Sequence, residues 1–243
     1  MKIIVTVFLS IFLFAFSCEG DKKENQQLNS LEKEAFELAR QAGVKAEDFK
    51  GKIDQLLTLE MAAQVSGLPA SEGKKDYTKL ESYEKLSYEW ESNKTKKITI
   101  NGQSINVPTN NTIELSWVKN TTLEQFKHDY HNPTAEEIKN AKAAMDKKAN
   151  ELATEGKISK EQMDKTNNDA KESFSKFKVE EVPNLGTYSF FVNSGIVGVT
   201  KRDLKVFYKG LSFTLSVDLS EDASYNDKKA IETAKMIIDQ KLR

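Results

Sequence analysis

The chain has 243 residues, of which 30% are charged and 38% hydrophobic, and its 36 Lys and Arg nearly balance 37 Asp and Glu, for a formal net charge of −1. Nucleic-acid binders carry a basic excess or stripe to meet phosphates, so this balance argues against a nucleic-acid partner. A single cysteine, Cys18, rules out an internal disulfide, and the polar composition predicts solvated helices around a modest core.

The first segment reads as an address. Lys2 supplies a positive start, Ile3 to Phe16 is almost wholly apolar, and Ala15-Phe16-Ser17 leads into Cys18. The polar stretch Glu19-Gly20-Asp21-Lys22-Lys23-Glu24 follows at once. Such a run is short of the roughly 20 residues that span hydrocarbon. Together these residues resemble the signal peptide and lipobox of a bacterial lipoprotein, although Phe16 stands where a small residue is more usual. The resemblance implies removal of residues 1–17, diacylglycerol on the Cys18 sulfur and acylation of its new amine. The partner it implies is the membrane, reached through lipid on Cys18, where each buried methylene adds about 0.8 kcal/mol. Glu19 is not the Asp that retains some family members at the inner membrane, so the outer membrane is expected. Lipidation would consume the only thiol, removing cysteine-based catalysis and zinc binding together. Residues 18–29 read as a tether and 30–243 as a single domain.

Within that domain, Leu31, Ala35, Leu38 and Ala42 recur at helical spacing over Ser30 to Ala42. A second helix is predicted over Asp54 to Ser66, capped by Thr58 or Asp54, with Leu57, Met61, Ala62 and Val65 on its apolar face. Ala70 to Asp76 reads as a loop. Leu86, Tyr88 and Trp90 then alternate with polar residues, as do Ile113, Leu115 and Trp117, and the strands flanking Asn101-Gly102 predict a tight hairpin. Thr122 with Gln125 makes a capping box for a short helix bearing Leu123, Phe126 and Tyr130. Thr134 with Glu137 caps a longer helix, and Ser159 with Gln162 starts another running to about Phe177. Their stripe is thin: Ile138, Ala141, Met145, Ala149 and Leu152, then Met163, Ala170, Phe174 and Phe177. Sheet is expected to resume after Val182-Pro183. There Tyr188, Phe190 and Val192 alternate, Leu204, Phe207 and Tyr208 precede Gly210, and Phe213, Leu215, Val217 and Leu219 alternate with polar residues. A final helix from about Asn226 presents Ala230, Ala234, Ile237 and Leu242.

These elements predict an α+β fold: an antiparallel sheet of two hairpin-rich halves covered by helices, with an inserted helical hairpin at about 134–177. Ile113-Glu-Leu-Ser-Trp-Val, a polar loop and a helix echo Phe213-Thr-Leu-Ser-Val-Asp, a polar loop and a helix. Element order, with phrases such as Leu57-Thr-Leu-Glu and Val182-Pro-Asn-Leu-Gly, resembles PsbP-like α/β modules over residues 54–130 and 180–243. That resemblance implies a binding or assembly module and carries over no catalytic residue.

Three clusters could carry chemistry. His128 and His131 lie one turn apart if the helix continues, and Glu124 lies one turn before His128, so two imidazoles and a carboxylate could share a face for a metal ion. The competing reading is a solvated helix end near Asn132-Pro133. Asp164 to Asn168 and Asp218 to Asp222 place oxygens at alternate positions but lack the Gly and bidentate Glu of a calcium loop. Tyr83, Tyr88, Trp90 and Trp117 are either sheet core or a partner surface. No Gly-x-Ser-x-Gly turn or phosphate loop is present. The sequence therefore favours a non-enzymatic, lipid-anchored envelope protein that binds another macromolecule or an envelope component and has no cofactor. The alternatives are a metal-assisted hydrolase using His128, His131 and Glu124, or a structural spacer. An exposed stripe of Met145, Leu152 and Met163 on the helical hairpin would be the place for an envelope protein partner.

Overall fold

The computed structural model describes residues 44–81, 83–100, 103–157, 159, 176–193 and 201–243, with residues 33, 34, 37, 41, 161, 162, 164, 165 and 168. The leader, Cys18 and the tether lie outside the described residues. So does most of the predicted helix at 30–42, of which residues 33, 34, 37 and 41 are helical. No described helix is long and apolar enough to cross a membrane.

The fold is α+β. Nine strands are described: β1 (Lys74–Lys79), β2 (Glu84–Trp90), β3 (Thr95–Ile100), β4 (Gln103–Pro108), β5 (Asn111–Asn120), β6 (Lys178–Glu181), β7 (Tyr188–Asn193), β8 (Asp203–Tyr208) and β9 (Leu211–Asp218). Seven form one antiparallel sheet in the order β1-β2-β5-β9-β8-β7-β6, and β3 and β4 pair separately. The helices are α1 (Leu59–Ser66), α2 (Leu123–Asp129), α3 (Ala135–Thr154) and α4 (Ala223–Ile237), the last running on through a π-helical turn at Ile238–Leu242.

Period-two alternation gives the sheet a dry face and a wet face. On the dry face a row crosses β2, β5, β9, β8 and β7 through Leu86, Leu115, Leu215, Leu204 and Phe191, each opposite the next. The first four of these have no exposed surface. Against them pack Met61, Ala62 and Val65 of α1 and Ala230, Ala234 and Ile237 of α4, closing the main core. Thr58 accepts a hydrogen bond from the Met61 amide, so α1 starts at Leu59 rather than near Asp54, which belongs to a preceding 3-10 turn at Ile53–Gln55.

On the wet face α2 closes a smaller cluster. Phe126 packs among Phe190, Val192 and Phe207, with Leu123, Tyr130, Phe177, Val179 and Tyr188 around them. Phe177 therefore belongs to the sheet's second cluster and not to the hairpin stripe. Thr122 caps α2 through the Gln125 amide, while the Gln125 side chain turns away to Asp129. The full reciprocal box forms at α3, between Thr134 and Glu137, and again between Ser159 and Gln162.

Two strands stand where the sequence predicted none. β1 covers part of the Ala70–Asp76 loop, and β6 lies between the predicted helix and Val182. Both are edge strands of mostly charged residues, each paired on one side only, so neither shows alternation to read. The hairpin predicted about Asn101-Gly102 does form, with Ile100 opposite Gln103, but as a separate ribbon. Its base is tied to the sheet by Lys94, whose ammonium lies 2.5 Å from Asp218 Oδ1.

A charge-balanced polar band beside a strained tryptophan

Between α2 and the β1 edge the wet face is polar rather than apolar. One row runs Ser87, Glu114, Ser216, Asp203 and the next Lys85, Ser116, Thr214, Lys205, from β2 across to β8. Ser87, Ser116, Thr214, Ser216 and Lys205 are buried, so their polar atoms need partners within the protein. Lys205 Nζ lies 3.1 Å from Asp203 Oδ2 and donates to Thr214 Oγ1 at 3.3 Å. Ser216 Oγ donates to Asp203 Oδ1. The same lysine lies 5.4 Å from the centre of the Tyr130 ring, a cation–π contact that links α2 to the rows. Lys201 Nζ lies 3.8 Å from Glu114 Oε2. Burial pushes the Asp203 carboxyl up, but Lys205, Ser216 and Lys201 outweigh it and hold the group below its ordinary value. Lys85, at the end of the second row, lies 3.8 Å from Asp76 of β1, so the three carboxylates and three ammoniums cancel in pairs.

Next to this band β5 breaks its alternation. Ser116 pairs with Thr214 and Lys119 with Ser212, so Trp117 and Val118 together oppose Phe213: a β-bulge. Val118 takes the place on the dry face that alternation had assigned to Trp117. Trp117 adopts φ +54° and remains 43% exposed. The left-handed region costs an L-residue on the order of 1–2 kcal/mol, and a bulky side chain there is a true outlier. The Trp117 ring meets Tyr83, centroid to centroid at 4.7 Å and tilted by 53°. Tyr83 in turn reaches Ser116 and feels both Glu114 and Asp203. Burial first, then Glu114 and Asp203, raise its phenol above the ordinary value against the hydrogen bond with Ser116, which lowers it.

The residues singled out in the sequence are dispersed. Tyr88 and Trp90 are core, 3% and 2% exposed, with Tyr88 hydroxyl donating to the Leu57 carbonyl and Trp90 Nε1 to that of Pro69. Glu124 and His128 lie exposed on α2, but the helix ends at Asp129 and His131 falls beyond it. His131 Nδ1 lies 2.7 Å from the His128 carbonyl and Nε2 lies 2.9 Å from Glu137 Oε1, so the imidazole ties α2 to the start of α3. Among the described residues no group of three His, Cys, Asp or Glu is placed to hold a metal ion. Asp218 pairs with Lys94 and Asp222 caps α4, so that acidic stretch is structural. Met145 and Leu152 are half-buried rather than exposed, which corrects the reading of a bare stripe, and Met163 lies outside the described residues. Sequence reasoning missed the pairing of Tyr83 with Trp117. The available signal was Trp117-Val118, two large apolar residues in succession where one alternating position was due.

No family model matches the chain, and neither a curated protein nor a solved structure does.

Proposed function

We propose that this chain is a lipid-anchored protein of the bacterial cell envelope, outer membrane rather than inner, that acts as a non-enzymatic binding module. The leader ending at Cys18 supports the anchor, and the PsbP-like order of elements supports a binding role. The observation that carries the binding reading is Trp117: a large aromatic held in a costly backbone conformation and left exposed beside a polar band. Strain of this kind persists where the surroundings enforce it and clusters at ligand sites. The ionisable groups beside it are held in mutual ion pairs, an arrangement suited to recognition more than to proton transfer.

Two measurements test the reading. Metabolic labelling with a fatty-acid analogue should mark the wild-type chain and leave Cys18→Ser unlabelled; label on the variant would remove the anchor. A photoreactive residue in place of Trp117 should crosslink an envelope component in intact cells, whereas residues along 134–177 should do so less. Adducts confined to 134–177 would move the functional surface to the helical hairpin.

A further inference from the structure

The chemistry of the wet face beside Trp117 narrows the ligand. Its charged groups cancel, Asp203 against Lys205, Glu114 against Lys201 and Lys85 against Asp76 of β1, so the site offers no net field to a phosphate or an ammonium ion. It offers donors and acceptors together from half-buried groups: the Tyr83 hydroxyl, the Lys201 ammonium and the Glu114 carboxylate. Beside them stands an exposed aromatic ring, with a second ring tilted against it. A ligand that satisfies all three features is neutral, has one apolar face to lie on an aromatic ring, and carries a rim of hydroxyls that both donate and accept.

We propose that the wet-face surface formed by Trp117, Tyr83, Glu114 and Lys201 binds a neutral saccharide ring of the envelope, a hexose or N-acetylhexosamine, with its C–H face on Trp117. This rests on the binding-module reading and gives it a ligand class. The Trp117 indole supplies the platform. Glu114 accepts from sugar hydroxyls while Lys201 and Tyr83 donate to them, so no charge is left unpaired on binding. The bulge is what turns the indole out of the dry face to stand beside these groups.

The two tryptophans make the test direct, because Trp90 is buried and a change in emission on titration reports Trp117. The full chain, with its lipid, is held in a sugar-free detergent and titrated with chitotetraose, cellotetraose and maltotetraose, and the same pairs are measured by calorimetry. At least one sugar should saturate, with an affinity insensitive to salt between about 0.05 and 0.5 M, since a neutral ligand has no charge to screen. Trp117→Asn keeps a residue that tolerates the left-handed backbone and removes the ring, and it should weaken binding by about tenfold or more. Its unfolding transition should remain cooperative, which separates lost binding from lost folding. Tyr83→Phe, which keeps the ring, should weaken binding less than Trp117→Asn.

The proposal is overturned if none of the three sugars saturates by about 10 mM, if Trp117→Asn binds as well as wild type, or if salt abolishes the binding. Absence of sugar binding together with a crosslinked envelope protein at position 117 would reject the saccharide and leave the binding module standing. Absence of both would reject both.

Discussion

Phe126→Ala removes the side chain on which the second core depends. Phe126 is 1% exposed and has the rings of Phe190, Tyr130, Phe207 and Tyr188 around it, with centroids 5.0, 5.4, 5.5 and 6.5 Å away. Truncating a buried Phe costs about 3–5 kcal/mol through lost transfer energy and the cavity left behind. Three of the neighbouring rings, Phe190, Phe207 and Tyr188, are held by the sheet and cannot follow inward, so the upper half of that range is expected. α2 has only seven residues and cannot persist without docking. For a domain of this size the loss corresponds to a fall in Tm of roughly 6–20 °C. Urea unfolding followed by far-UV circular dichroism measures the energy. Near-UV dichroism of the tyrosines should show Tyr130 released from its place over Lys205. Leu123→Ala, at a half-buried position of the same helix, should cost less. A loss under about 1 kcal/mol for Phe126→Ala, no more than an ordinary substitution, would show that α2 is not docked through this residue.

Three further outcomes are expected. Gly186 has φ +64°, and a Cβ there would lie 2.7 Å from the Phe207 carbonyl oxygen, which already accepts from the Thr187 amide; Gly67 has φ +73° with nothing near. Chemical denaturation should therefore show Gly67→Ala losing about 1–2 kcal/mol for backbone strain alone and Gly186→Ala distinctly more; equal losses would remove the clash argument. The Glu137 carboxyl is pulled down to about 2 by hydrogen bonds from Thr134, with His131 adding to them. A depressed carboxylate stabilises the fold above its unfolded value of 4.5, and that contribution is lost as pH falls from 4.5 towards 2. Helicity should decline over that window less in Glu137→Gln than in wild type, and identical acid titrations would contradict the assignment. Deleting Trp117 removes the bulge and should abolish cooperative thermal unfolding, while Trp117→Asn folds; a deletion variant as stable as wild type would show that the bulge does not set the strand's register.

The legible parts of this fold were those with one dry side. β2, β5 and β9 alternate because each has neighbours on both edges and core on one face. β1 and β6 were illegible for the opposite reason: as charged edges they owe their extended form to a single partner strand. The helix caps at Thr58, Thr122 and Thr134 could be read because the signal is local. The His128–His131 cluster failed because its spacing matters only if the helix continues. Pro133 disfavours helical geometry at Asn132, whose side chain instead bonds both backbone groups of Val179 in β6. The site at Trp117 was only half legible. Trp117 was visible as an aromatic, but its exposure follows from a one-residue register shift, and Tyr83 reaches it through a tertiary contact that no local pattern encodes.

The same register shift explains how two similar halves cover opposite faces of one sheet. β5 and β9 lie side by side, antiparallel, and Leu115 faces Leu215, so the echoed phrases at 113–118 and 213–218 are related about that pair. The order continues outward on both sides, β2 beside β5 and β8 beside β9, then β1 and β7. Each central strand is followed by a capped helix at the same offset, Thr122 before α2 and Asp222 before α4. With equal spacing both helices would leave toward the same face. In β9 alternation runs unbroken from Phe213 to Leu219, which packs on the dry core, and α4 follows it there. In β5 the extra residue inverts the parity: Lys119, the counterpart of Leu219, reaches Asp129 of α2, and α2 closes the wet face. A single bulge thus gives the sheet a helix on each side and turns the indole toward the charge-balanced rows. The strain at Trp117 is the local cost of an arrangement from which both the second core and the exposed aromatic pair follow.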